Sequence, residues 1–413
     1  MELRRDCDYI VKSAISRVLP DEAVKRALRG KEFSGGRLIL VAVGKAAWSM
    51  ANAAFDALGA EISDGIVITK HGYSQGAIGK LRIFEAGHPV PDDASFVATD
   101  EALKITENLS ENDTVIFLLS GGGRALFELP AVNPAELQSI TNKLLSCGAD
   151  ITQINTVRKR LSKVKGGRFA IHCAPAKIFS VVLSDIIGDP LDMIASGPAY
   201  PDSSTCAEAL RIVEKYDLRL SPEALDCLKT ETPKEIANVT TEITGSVREL
   251  CRAAADACRT LGYEPHILTD CLNCEAREAG KMLAEKILEN RAPEKPLAFI
   301  AGGETVVHIT GNGKGGRNQE LALSAAQYIA GLKNAAVFSV GSDGTDGPTD
   351  AAGGFVDGNT EDTLSNLGIE IVSALDSNDS YNALSACSGL IFTGPTGTNV
   401  NDVSIALIKN MEE

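Results

Sequence analysis

With 413 residues, 44% of them apolar and 23% charged, the chain is too long for one ordinary domain and too apolar to be disordered. Its formal net charge of −15 argues against nucleic acid or an acidic membrane as the main partner. The opening MELRRDCDYIVKSA has no apolar signal core, and no apolar run nears the ~18 residues of a membrane span, so a cytoplasmic protein is expected.

In chain order, 3–28 has a helical pattern, and RLILVAV at 37–43 is a short apolar strand followed by Gly44 and a helix over 45–58. Strands are expected at 65–70, 81–87, 114–120 and 176–185, with helices at 94–108, 134–147 and 150–164. A loop spans 188–204, helices resume to about 228, and Pro233 marks a boundary stretch. The second half restarts near Thr240 with a short strand and a helix. EPHILTD is a strand, CEAREAGKMLAEKILEN a helix, and KPLAFIAGGETVVHITGNG two strands around Gly302 and Gly303. RNQELALSAAQYIAGL is a helix, AAVFSVGSDG a strand, 343–360 a loop, and SGLIFTGPTGTNVND a final strand with a glycine turn. Alternating strands and helices predict parallel α/β sheets, with ligands beyond the carboxyl ends of the strands. The ten cysteines read as reduced thiols; Cys271 and Cys274 form a C-x-x-C pair with no second pair to complete a zinc site.

If the substrates are anions, an acidic chain needs a local cationic pocket. In VAVGKAAW, Lys45 opens a helix directly after a strand, where it can join free backbone N–H groups in holding a phosphate or carboxylate. In FLLSGGGRALF, Gly121, Gly122 and Gly123 let backbone amides approach a ligand, Ser120 adds a hydroxyl and Arg124 a cation. In INTVRKRLSKVKGGR, Ile154, Val157, Leu161 and Val164 share a core face. Arg158, Ser162 and Lys165 lie beside that face, placed to line a cleft, while Lys159 and Lys163 are expected in solvent. No aromatics interleave with these bases, which argues against a nucleic-acid surface.

Asp185 and Asp189, in LSDIIGDP, suit a Mg²⁺ ligand or a base. Gly311, Gly313 and Gly316 fit G-x-G-x-x-G, a hint of dinucleotide binding, although the next strand-end acid, Asp343, lies too far on. Arg317, at the following helix start, is better placed to hold phosphate in its fork. Asp343, Asp346, Asp350 and Asp402 lie among glycines and threonines, in loops that suit a cation or a ribose. The Walker A, protein-kinase and G-x-S-x-G motifs are absent. An enzyme handling small anions, phosphates foremost, is expected.

VAVGKAAW, EAGHPVPD, LLSGGG, NTVRK, KGGR, LSDIIGD, IASGP, GGETVV, GGRNQELAL, DGTDGPTDAAGG, NDSYNAL and TGPTGTNVND, in that order from Val41 to Asp402, resemble the glycerate 2-kinase family, whose second domain is called MOFRL. The resemblance implies a Rossmann-like α/β/α domain over 1–238, a smaller MOFRL-type α/β domain over 239–413, and an active-site cleft between them. It implies ATP with Mg²⁺, D-glycerate as acceptor and 2-phosphoglycerate as product. Lys45 and Arg317 map to positions acting at phosphate, and Ser120, Gly121, Gly122, Gly123, Arg158, Lys165, Asn318 and Thr396 are candidates for holding substrate or phosphate. Asp189 and Asp343 are the candidate metal ligands. Where the family usually has Ser after SGGG and often His after VRK, this chain has Arg124 and Arg160. A monomer or homodimer is expected. The rival readings are a nicotinamide-dependent hydroxypyruvate reductase and a non-catalytic binder of small anions.

Overall fold

Apolar runs bounded by glycine turns become buried strands. A computed structural model describes residues 2–33 and 35–410. The first sheet holds β1 (Leu38–Val43), β2 (Ile62–Lys70), β3 (Arg82–Ala86), β4 (Thr114–Leu119), β5 (Lys177–Leu183) and β6 (Val239–Gly245). Their order is β3-β2-β1-β4-β5-β6, and β3 through β5 pair in parallel as expected. Every residue of β1 is buried, because helices cover both faces of a parallel sheet. The order reverses between β1 and β4, the switch point at which such sheets open a crevice.

The second sheet departs from the parallel expectation. It holds β7 (Glu264–Leu272), β8 (Leu297–Gly303), β9 (Ala335–Gly341), β10 (Gly353–Asp357), β11 (Leu390–Ile391) and β12 (Asp402–Ile408), in the order β11-β10-β9-β12-β8-β7. Only β7 and β8 pair in parallel; β12 runs antiparallel between β8 and β9, and β10 antiparallel to β9 and β11. The run VSIALI in β12 is wholly buried and carries the centre of the sheet, whereas the sequence reading ended at Asp402. No strand follows Gly303 directly: 304–316 is irregular apart from one bridge at Val306.

Contacts divide the chain differently from the expected cut after 238. One unit comprises Ala23–Leu183 and Asp189–Thr244; the other takes the segment ending at Glu22, Ser184–Gly188, and the chain from Gly245 on. The reason lies in the first helix, Glu2–Arg17, whose stripe of Cys7, Ile10, Val11 and Ala14 packs into the core built by the helix Val247–Thr260 and the second sheet. The Tyr263 hydroxyl donates to Asp6 at 2.6 Å and fixes the same helix. No helix among the described residues is long and apolar enough to cross a membrane.

A buried charge network corrects the reading of 150–164. The helix there, Ile151–Arg160, ends earlier than expected, and Lys159 is 2% exposed rather than solvated. Its ammonium donates to Asp202 at 3.0 Å, and Arg160 lies 3.6 Å from the same carboxylate and 3.2 Å from Glu231. Lys163 is exposed, as expected. Burial pushes the Asp202 carboxyl up, but Lys159 and the Thr232 hydroxyl outweigh it and hold the group below its ordinary range. Asp202 therefore adds stability that is present above the unfolded carboxylate range and lost as pH falls from there through its lowered folded value. Asp202→Asn is expected to cost about 3 kcal/mol, lowering the thermal midpoint by several degrees, since two buried cations lose the anion they share and keep only Asp192 and Glu231. The double variant Asp202→Leu/Lys159→Met should lose less, which thermal melts of both proteins check.

Candidate active site

The first group of candidates sits at the switch point of the first sheet. β1 ends at Gly44, whose backbone φ of +127° and close approach to Ser120 exclude a side chain: a Cβ there would lie 2.1 Å from Ser120 Oγ. The Lys45 N–H donates to Gly121 O at 2.8 Å and the Ser120 N–H to Val43 O at 2.9 Å, lacing the turns after β1 and β4 together. The Ser120 hydroxyl accepts from the Ala46 N–H at 3.1 Å, so it braces the Lys45 turn from below and faces away from solvent. Gly122 is left-handed at φ +88°; a Cβ on it would lie 3.2 Å from both Lys45 Cγ and His88 Nε2. Lys45 is half-buried, and its ammonium makes no hydrogen bond or ion pair with any described residue. Its surroundings are therefore a glycine turn, an imidazole and open space.

Beneath the glycine turn lies a second cationic cluster. Lys165 is fully buried and its ammonium donates to the carbonyls of Arg124 and Phe127 at 2.8 and 2.9 Å. It ties down the end of the short helix Gly123–Leu126 and lies 3.6 Å from Glu128, so it supports the turn from within instead of lining a cleft as expected. Burial pushes its ammonium down to about 8, Glu128 working against that shift and Arg158 and Arg124 adding to it. Arg158, 7% exposed, reaches Glu128 at 3.5 Å, and its Nε is buried without a hydrogen-bond partner. Arg124 and Arg158 both line a cavity of about 500 Å³. Glu128 and His88 were not singled out in the sequence. Glu128 carries no motif signal, and His88 stands within EAGHPVPD without a spacing that marks it.

The second group is built in the other unit around the helix Arg317–Ile329. Arg317 donates from Nε and NH2 to the two oxygens of Asp402 at 2.5 and 3.1 Å, and its NH1 lies 3.0 Å from Glu304. Burial opposes its charge, but Asp402 and Glu304 outweigh burial and raise the guanidinium above its ordinary range. Burial lifts Asp402 to about 6 even though Arg317 counters it. Asp346 accepts from the backbone N–H groups of Asn318 and Gln319 at 3.1 and 2.9 Å. A carboxylate of the chain itself thus fills this helix N-terminus. Gly316 allows it, because a Cβ there would lie 2.3 Å from Asp346 Cγ. Asn318 is buried, its amide on Asp346 and Ser339. The Thr396 hydroxyl donates to Ser342 O at 2.6 Å and its N–H to Asp343 O at 3.2 Å, so it closes a loop.

Each of these aspartates is engaged within the chain. Asp343 holds Thr345 in a turn at 2.9 Å, Asp350 accepts from the Tyr381 hydroxyl at 2.7 Å, and Asp402 grips Arg317. Among the described residues no group of three or more His, Cys, Asp or Glu is placed to hold a metal. Asp185 and Asp189 lie on the irregular stretch after β5, and Asp189 belongs with the first unit while Asp343 belongs with the second. The G-x-G-x-x-G match is not a strand-to-helix nucleotide turn. Gly311 and Gly313 pack where a Cβ would meet Ser377 O at 2.3 and 2.5 Å, and the segment is irregular, so the dinucleotide hint lapses. The ten cysteines, Cys271 and Cys274 included, are free thiols.

Comparison with known proteins finds two family models along the chain. Residues 6–229 match the model described as a domain of unknown function (DUF4147), and 297–402 match the MOFRL family. A D-glycerate 2-kinase from Thermotoga maritima is 52% identical over 97% of each chain. A provisionally named hydroxypyruvate reductase from Agrobacterium vitis is 37% identical over 98% of this chain and 94% of its own. The crystal structure of a Thermotoga maritima glycerate kinase superposes with a TM-score of 0.93 at 51% identity, covering 98% of this chain and 99% of that one.

Proposed function

The chain belongs to the glycerate 2-kinase family, and from that membership we propose that it is an ATP-dependent D-glycerate 2-kinase making 2-phosphoglycerate. The observation that carries the reading is the unpaired Lys45 ammonium at the switch point, beside the Gly121–Gly123 turn. A parallel sheet presents its ligand site there, and a phosphate needs a cation and close backbone. The glycerate 2-hydroxyl attacks the γ-phosphorus in line, the bond to the ADP oxygen breaks, and the hydroxyl proton leaves to a base. Such transfers depend on positioning and charge neutralisation, with no covalent nucleophile. Lys45 and Arg317 each neutralise phosphate charge. Asp402 holds the Arg317 fork in one orientation, and a phosphate oxygen replaces Glu304 at NH1.

Mg²⁺ is normally held by one or two carboxylates together with the substrate's phosphates, so a three-carboxylate cage is not required. Asp189 or Asp343 would supply a carboxylate to it, and the ion would neutralise the polyphosphate. In this reading Arg158 holds the acceptor carboxylate, and Gly121, Gly122 and Gly123 hold phosphate through the backbone.

Incubating the protein with D-glycerate, ATP and Mg²⁺ tests it. ADP formation should depend on glycerate, phosphorus NMR should show 2-phosphoglycerate, and EDTA should stop the reaction. Consumption of a nicotinamide cofactor with hydroxypyruvate, without ADP formation, would establish the reductase instead. Calorimetric binding of glycerate without turnover would establish a binder.

A further inference from the structure

The cavity beside the glycine turn is larger and more apolar than glycerate needs. Its volume of about 500 Å³ lies in the range of sites for drug-sized ligands, ~300–1,000 Å³, whereas glycerate has few heavy atoms and hydroxyls on each carbon it could turn to a wall. Phe96, Leu137 and Ile154 form part of the lining. Val90, Leu145 and Ile151, which also line it, are 53%, 60% and 46% exposed, a cost in water that an apolar ligand would remove. One face of the helix Pro134–Ser146 forms a wall, with Gln138, Asn142 and Leu145 along it.

The cationic end of the same cavity is Arg158 with Arg124. Arg158 is more than nine-tenths buried, its one ion pair to Glu128 is long at 3.5 Å, and its buried Nε has no hydrogen-bond partner. A buried guanidinium so placed is incomplete without an acceptor, and a carboxylate matches its fork. The acids of the lining are Asp92, which is paired with His71 at 2.8 Å, and Asp93. The cavity also adjoins the Lys45 turn, since Arg124 follows Gly123 and the lining residue Pro89 follows His88.

The geometry points to a carboxylate seat at Arg158 opening into an apolar chamber, so that the acceptor site takes D-2-hydroxy acids bearing an apolar substituent on C3 as well as glycerate. This rests on the kinase reading for the identity of the reaction, but the chamber's ligand class is read by binding alone. The probe is D-3-phenyllactate, titrated calorimetrically into the full-length protein, with 3-phenyl-1,2-propanediol as the same molecule lacking the carboxylate. Phenyllactate should bind and should raise the KM for D-glycerate without lowering kcat. The diol should bind at least tenfold more weakly, and Arg158→Gln should weaken phenyllactate at least tenfold. Should Arg158→Gln fail to fold, Gln138→Trp, on the partly exposed helix wall, should weaken phenyllactate at least tenfold more than glycerate. Failure of phenyllactate to bind a protein that turns over glycerate would overturn the inference, as would equal binding of the diol. Binding of phenyllactate by a protein that never forms ADP would support the chamber and overturn the kinase reading.

Discussion

Arg317→Ala is expected to cut glycerate-dependent ADP formation ~10³-fold or more, the usual worth of an arginine that neutralises a phosphoryl transition state. The variant should also melt lower, because Asp402 is 5% exposed and loses both hydrogen bonds from the guanidinium. The loss should be about 2 kcal/mol, less than for a fully buried pair because Arg317 is partly solvated. Arg317→Ala/Asp402→Asn separates the two effects: the melt should return toward that of the parent while turnover stays low. Turnover within tenfold of the parent in Arg317→Ala would remove the arginine from the mechanism. A pH effect follows from the same pair. Asp402 titrates at about 6, so below that pH it gives up its grip on Arg317 and turnover should fall on an acid limb near 6. Because burial raises this carboxyl, the folded protein holds its proton more tightly than the unfolded chain. The stability linked to Asp402 therefore declines as pH rises from the unfolded range, ~4, through about 6.

Lys45→Ala should lose ~10²–10³-fold in turnover, the cost of removing one preorganised charge from a transition state. Unlike Arg317, Lys45 holds no other side chain, so its melt should match the parent within a degree or two. A Lys45→Ala protein with parental turnover would place the phosphate elsewhere. A large fall in its melt would instead make the lysine structural.

The first sheet was legible because its strands are short apolar runs, each followed by a glycine turn, and the chain alternates strand and helix. From that alternation the carboxyl-end site follows, and Lys45 with Gly121 to Gly123 stands there. What could not be read was pairing across distance. Nothing local in VSIALI says that β12 enters antiparallel between two strands more than sixty residues upstream of it. Likewise 154–168 shows bases and no acid, so Lys159 looks solvated until Asp202 arrives from the following loop. Asn318 and Lys165 matched the motifs but are consumed in holding Asp346 and the Gly123–Leu126 helix. Motif position marks a neighbourhood, and burial decides which of its polar atoms still face outward.

The interleaved division of the chain has a consequence for its biosynthesis. The helix Glu2–Arg17 leaves the ribosome well before its packing partners, which begin at Val247, and the strand that completes their sheet, β12, is made later still. At ~5–20 residues per second, a nascent chain waits tens of seconds with the Ile10–Val11 stripe uncovered. The stretch from Ala23 to Thr244 has its own sheet complete before that wait ends. The first helix therefore meets its packing partners only after every strand of the first sheet has been made.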